Sequence, residues 1–145
     1  MTHLLDVNFL VALFDPRHVN HAGAHHWFGT SCSSDWATCS ITEAGCIRVL
    51  SNPAYPTVSA TPDEVLRRLA RFCASGGHSF WPDAVSLRDS LGDEAMRRLQ
   101  GHNQVTDFHL AALASHHGGC LVTFDGRLQR SLAGTRLGPT VILVE

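Results

Sequence analysis

Apolar and polar positions in this chain fall into blocks that switch repeatedly between a short continuous run and a helical period. Leu4-Leu5 is a short apolar run that delivers one carboxylate, Asp6, to its end. Val7 to Phe14 then continues in helical rhythm, with Phe9, Leu10 and Leu13 able to share a face. Asp15-Pro16 ends that helix, because a residue before Pro is biased out of the helical region. His18 to Phe28 reads as a second helix, and Trp36 to Cys39 as a short strand. The third helix opens with Ser40 as cap and Glu43 at capping-box spacing, runs to about Leu50 and stops before Ser51-Asn52-Pro53. Thr61-Pro62-Asp63-Glu64 starts a fourth, with Val65, Leu66, Leu69 and Phe72-Cys73 as its buried stripe and Gly76-Gly77 after its end.

His78 to Trp81 alternates as a strand, and Asp83 to Gly101 is weakly patterned, with short helical pieces. Thr106 reads as the cap of a helix from Asp107 to about His116, which Gly118-Gly119 terminates. Cys120 to Phe124 is a second clear buried strand and ends in Asp125; Arg127 to Leu132 is a helical turn and Thr140 to Val144 a closing apolar strand. Strands alternating with helices predict an α/β fold, a mostly parallel sheet covered on both faces. A chain of 145 residues is expected to form one domain, 1–145.

Composition narrows the chemistry. The net charge is only −2, so no bulk positive field advertises nucleic acid. All 11 cations are Arg, and the absence of Lys removes several enzymes that also begin with a strand ending in Asp. A P-loop needs its Lys on the β/γ-phosphates. Receiver domains and haloacid-dehalogenase-like phosphatases use a Lys from a later strand. Five cysteines, odd in number and without C-x-x-C spacing, read as buried free thiols of a reducing compartment. No apolar stretch reaches 18 residues and no leader pattern opens the chain, so a soluble cytosolic protein is expected.

Four carboxylates then occupy equivalent places. Asp6 and Asp125 each end an apolar strand; Glu43 and Asp107 each fall in the first turn of a helix. In an open parallel sheet, strand carboxyl ends and the amino ends of the following helices meet at one edge. Each acid also has an ordinary reading: Glu43 as part of a capping box, Asp107 as a helix-dipole partner, Asp125-Gly126 as a turn. Against these, Glu43 shares a stripe with Cys46, Ile47 and Leu50, and Asp107 shares one with Leu110, Ala111 and Ala114. Converging carboxylates repel unless a cation joins them. Oxygen ligands alone select Mg²⁺ or Mn²⁺, the ions of in-line phosphoryl displacement. Asn8, Thr106 and Thr123 each adjoin a proposed ligand and would support it.

Asp6-Val7-Asn8, Ile41-Thr42-Glu43 with Arg48, Thr106-Asp107 with Leu110-Ala111-Ala112, and Leu121-Val122-Thr123-Phe124-Asp125 resemble the PIN-domain nucleases, and more narrowly the bacterial VapC-type toxins. The resemblance extends to Phe14-Asp15-Pro16, His25-His26-Trp27-Phe28 and Leu50-Ser51-Asn52-Pro53, so it spans nearly the whole chain. It implies a three-layer α/β/α sandwich with strand order 3-2-1-4-5, and metal ligation by Asp6, Glu43, Asp107 and Asp125. It further implies Mg²⁺- or Mn²⁺-dependent endoribonuclease activity on tRNA or rRNA, restraint by a VapB-type antitoxin, and a homodimer.

Other clusters have competing readings. His21 and His25, at i and i+4, could bind zinc, but Ala22 stands where an H-E-x-x-H motif has its Glu. The Arg67/Arg68/Arg71 and Arg97/Arg98 clusters read as solvated faces. Arg127 and Arg130 follow Asp125 and are the expected phosphate contacts. Trp36 is expected in the core and Trp27 at an interface. Two rival functions stand beside the nuclease: a catalytically silent interaction protein, and a metal-dependent phosphohydrolase acting on a small phosphate ester.

Overall fold

The strand that reaches Asp6 lies at the middle of the molecule. In the computed structural model, which describes residues 1–145, β1 (His3–Leu5) pairs in parallel with β2 (Trp36–Cys39) on one side and β4 (Cys120–Thr123) on the other. β3 (His78–Trp81) extends the sheet beyond β2, and β5 (Val141–Leu143) extends it beyond β4. The order is β3-β2-β1-β4-β5, parallel throughout, as the resemblance implies. Strands of three or four residues suffice because side chains of β1, β2 and β4 are buried on both faces, with Leu4, Leu5, Trp36 and Leu121 fully enclosed.

Two cores flank the sheet and make the three layers. On one face Leu5, Trp36 and Val122 pack against α1 (Val7–Phe14), α2 (His21–Ser31), α3 (Ser40–Ser51) and α4 (Pro62–Cys73). On the other, Leu4, Ala37 and Leu121 pack against α6 (Gly92–Arg98), α7 (Val105–His116) and α8 (Gly126–Leu132); the short α5 (Leu87–Ser90) precedes α6. The layers follow largely from the binary pattern; Leu66 is an exception, since α4 buries Val65 and Leu69 while Leu66 lies exposed. Gly45 lets α3 lie close on α1, because a Cβ there would stand 2.6 Å from Val7 Cγ2.

Three helix starts differ from expectation, each for a local reason. α2 begins at His21 rather than His18, because the Arg17 amide binds the Asp15 carboxylate and the Asn20 amide binds His18 Nδ1, which holds residues 15–20 in turns. α3 begins at Ser40, with the Cys39 amide donating to Thr42 Oγ1. Thr42 thus performs the capping that the sequence pattern gives to Glu43. α7 begins at Val105, continuing a 3₁₀ turn over His102–Gln104, so Thr106 does not cap it.

Candidate active site

Asp6 leaves the end of β1 as the N-cap of α1, and its Oδ1 accepts the Val7 amide at 2.7 Å. Its Oδ2 accepts the Thr123 hydroxyl at 2.7 Å. Thr123, at the end of the neighbouring β4, is fully buried and is a junction. Its Oγ1 also accepts Asn8 Nδ2 and the Asp125 amide, each at 3.0 Å. Asn8 Oδ1 in turn accepts the Phe124 amide. One small network therefore sets the backbone that carries Asp125 relative to the carboxylate of Asp6. Asp125 caps α8, its Oδ1 accepting the Arg127 amide.

Asp107 enters from the first turn of α7. Burial, then the charges of Asp6 and Asp125, push its carboxyl up to about 6. Burial also raises the Asp6 carboxyl; the hydrogen bonds from Thr123 and Val7 oppose that rise and the Asp125 charge adds to it. These three aspartates thus act on one another, and no Arg forms an ion pair with any of them.

Glu43 has other company. Its Oε2 accepts the Thr38 hydroxyl at 2.6 Å, and Thr38 Oγ1 lies 2.8 Å from His78 Nε2. Its carboxylate, Cys73 Sγ and a His78 ring nitrogen lie within 4.8 Å of one another. Glu43 projects toward β2 and β3, among residues that the sequence pattern places in strands or a buried stripe and not in a site. No spacing signals this group, because Thr38, Cys73 and His78 lie up to 40 positions apart. The supporting residues divide as well: Asn8 and Thr123 bind the aspartate edge, whereas Thr106 is exposed and makes no hydrogen bond to an acid.

Two clefts adjoin the aspartates. One is polar, running from Asp107 and Asp125 past Arg127 and Arg130 to Gln100 and Asn103. The other follows α1 from Asp6 and Asp107 to Tyr55 and Thr57. The wall of the second is anchored on Asp15, a buried carboxylate that accepts the Tyr55 hydroxyl at 2.6 Å and the Thr57 hydroxyl at 2.5 Å. Burial alone would raise the Asp15 carboxyl. The bonds from Thr57, Tyr55 and the Arg17 amide outweigh it and hold the group below its usual value.

The remaining clusters are structural. His21 Nδ1 bonds the Ala12 carbonyl and His25 Nε2 the Leu13 carbonyl, so each engages the end of α1 rather than offering that nitrogen to zinc. Arg68 bonds the Phe14 carbonyl and covers the Phe14 ring; Arg67 pairs with Asp63, and Arg97 and Arg98 with Glu94. Trp36 is fully buried. Trp27 packs edge-on against Phe9 and His3 at the margin of the core and is half-buried. All five cysteines are free thiols.

The family model described as "PIN domain" matches residues 3–132. The ribonuclease VapC39 of Mycobacterium tuberculosis is 49% identical over 132 residues, covering 90% of this chain and 94% of its own. Ribonuclease VapC38 of the same organism is 43% identical over 122 residues, 84% of each chain. In fold, the chain resembles the crystal structure of M. tuberculosis VapC20, a Sarcin-Ricin loop cleaving toxin. The TM-score is 0.62 at 16% identity, over 92% of this chain and 95% of that one.

Proposed function

This chain belongs to the PIN-domain family, among the VapC ribonucleases, and we propose that it is an endoribonuclease toxin that uses a divalent cation held by Asp6, Asp107 and Asp125. The observation that carries the cation is the mutual charge of these acids. Asp107 is pushed up to about 6 by burial and by two neighbouring aspartates, and no Arg is paired with any of the three. An all-oxygen set of this kind fits Mg²⁺ or Mn²⁺ rather than a soft metal. Bound there, such an ion neutralises a scissile phosphate and lowers the pKa of water for in-line attack.

The chain's own residues divide the remaining work. Thr123 and Asn8 hold Asp6 and the Asp125 backbone in one arrangement, so that little must reorganise when a phosphate arrives. Arg127 and Arg130 line the polar cleft beside Asp107 and Asp125 and would take the flanking phosphates. Glu43 is kept in the proposal as the fourth acid of the set with a smaller share, since its carboxylate is engaged by Thr38. The substrate is RNA of the tRNA or rRNA class. A VapB-type antitoxin neutralises the enzyme, which works as a homodimer in the cytosol. No helix is long and apolar enough to cross a membrane.

The test is cleavage of total RNA by the purified chain with Mg²⁺ or Mn²⁺, with EDTA, and with Asp107→Asn. Cleavage should need the ion and the acid, leaving a 5′-phosphate and a 3′-hydroxyl. Unimpaired cleavage in EDTA by the variant would overturn the reading.

A further inference from the structure

The polar cleft beside Asp107 and Asp125 has two walls that are distant in sequence. One is the turn over residues 100–104, which leads into α7; the other is α8, which carries Arg127 and Arg130. A single side chain spans them. Gln104 Oε1 accepts the Gln100 amide at 2.8 Å and the Gly101 amide at 2.9 Å, and its Nε2 donates to Ser131 Oγ at 3.3 Å. Two backbone donors fix the oxygen on the turn side, so the NH₂ group faces α8. α8 is only seven residues long and has few other restraints. Leu128 and Leu132 are buried beneath it, and Arg98 donates to the Ser131 and Ala133 carbonyls at its end, at 3.2 and 3.1 Å.

We propose, resting on the nuclease reading above, that Gln104 is a positioning residue for RNA: it fixes the two walls of the cleft against each other and so sets where Arg127 and Arg130 stand. Neither arginine is ion-paired with a carboxylate of the chain, and both are exposed, so their placement depends on the helix that carries them. Ser131 lies four residues beyond Arg127, on the same side of α8. The bond from Gln104 therefore holds the face that presents that cation. The Arg130 guanidinium lies back along the first turn of the helix, where a Cβ on Gly126 would stand 3.1 Å from its Nη1. A rotation of α8 would thus move Arg130 relative to Asp125, the cap of the same helix. Held in place beforehand, the arginines meet a phosphate without first having to order their helix. Gln104 acts through α8 rather than on the RNA.

The experiment measures binding of a fluorescent single-stranded RNA oligonucleotide by the full chain in EDTA, over a series of salt concentrations, so it does not depend on cleavage. Gln104→Met keeps the bulk and removes all three bonds. It should weaken binding about tenfold and lower the slope of log affinity against log salt by about 1. In an Arg127→Ala/Arg130→Ala background the same substitution should change affinity by less than about twofold, because the groups it acts through are gone. In Mg²⁺, Gln104→Met should raise KM with kcat retained, the pattern of lost uniform binding. Ser131→Ala removes only the bond to α8 and should move affinity and slope the same way by less, which keeps the test open if Gln104→Met does not fold. A lowered melting temperature with affinity and slope unchanged, or an equal loss of affinity in the background without the two arginines, overturns the positioning role alone. A wild-type chain that binds no RNA overturns the nuclease reading itself, and this role with it.

Discussion

The Thr123 hydroxyl donates to Asp6 Oδ2 at 2.7 Å across 117 residues of sequence, joining the ends of two adjacent parallel strands. The same oxygen accepts the Asp125 amide, so one buried side chain touches a proposed ligand directly and holds the backbone of another. Thr123→Val keeps the shape and removes all three bonds. It should cost about 1–3 kcal/mol by denaturant unfolding, because the buried acceptor and donors lose their partner. It should also lower RNA cleavage in Mg²⁺ while leaving RNA affinity in EDTA unchanged. Unchanged cleavage would separate Thr123 from the site.

Asp107 is held in the folded chain by no hydrogen bond that favours its charge; burial and the two neighbouring aspartates act against it. Asp107→Asn should therefore abolish cleavage while raising the melting temperature of the metal-free protein. In the wild-type chain Mg²⁺ should raise the melting temperature, with stabilisation of about 2.7 kcal/mol at a hundredfold excess over Kd. A flat thermal titration counts against a cation at this edge.

Metal-free stability should fall as pH rises from 4 to 6. The Asp107 carboxyl sits at about 6 in the folded chain against 3.8 for its ordinary value. Its contribution is thus fully present below 3.8 and lost as pH climbs through 6, and Asp6 is displaced in the same direction. The loss is on the order of 2 kcal/mol. Asp15 works in the opposite sense, since its lowered carboxyl gives stability that disappears only as pH drops below its ordinary value. Chemical unfolding across this range, with and without Asp107→Asn, should show the slope in wild type and a flatter line in the variant.

Gly45 and Val7 set how closely α3 approaches α1, the helix that Asp6 caps. Gly45→Ala places a methyl 2.6 Å from Val7 Cγ2 and should destabilise the fold by about 1–3 kcal/mol. Adding Val7→Ala should return part of that loss. A double-mutant cycle with no coupling would refute the contact as the cause.

Arg130 lines the cleft beside Asp125 and is exposed. Arg130→Ala should weaken binding of single-stranded RNA in EDTA and reduce the slope of log affinity against log salt by about 1. Arg67→Ala, on the far face of α4 and paired with Asp63, should leave that slope unchanged.

Residues 3–14 and 120–125 state their structure almost outright. A buried parallel strand must be continuously apolar, and the first polar residue after it marks the sheet's carboxyl edge; Asp6 and Asp125 are those residues. The missing Lys limited the chemistry because no neighbouring side chain could substitute for it. That Asp6, Asp107 and Asp125 could meet was likewise legible, since strand carboxyl ends and helix amino ends share one edge of a parallel sheet.

The direction of Glu43 was not legible. Its place in the first turn of α3 is common to a ligand and a capping residue. Once Thr42 takes the cap and Gly45 seats α3 on α1, the Glu43 side chain meets Thr38, and through it His78 and Cys73. Local spacing assigns a residue to a face of its own helix. Which neighbour that face meets depends on how helices and strands distant in sequence pack against it, and nothing short of the assembled fold contains that information.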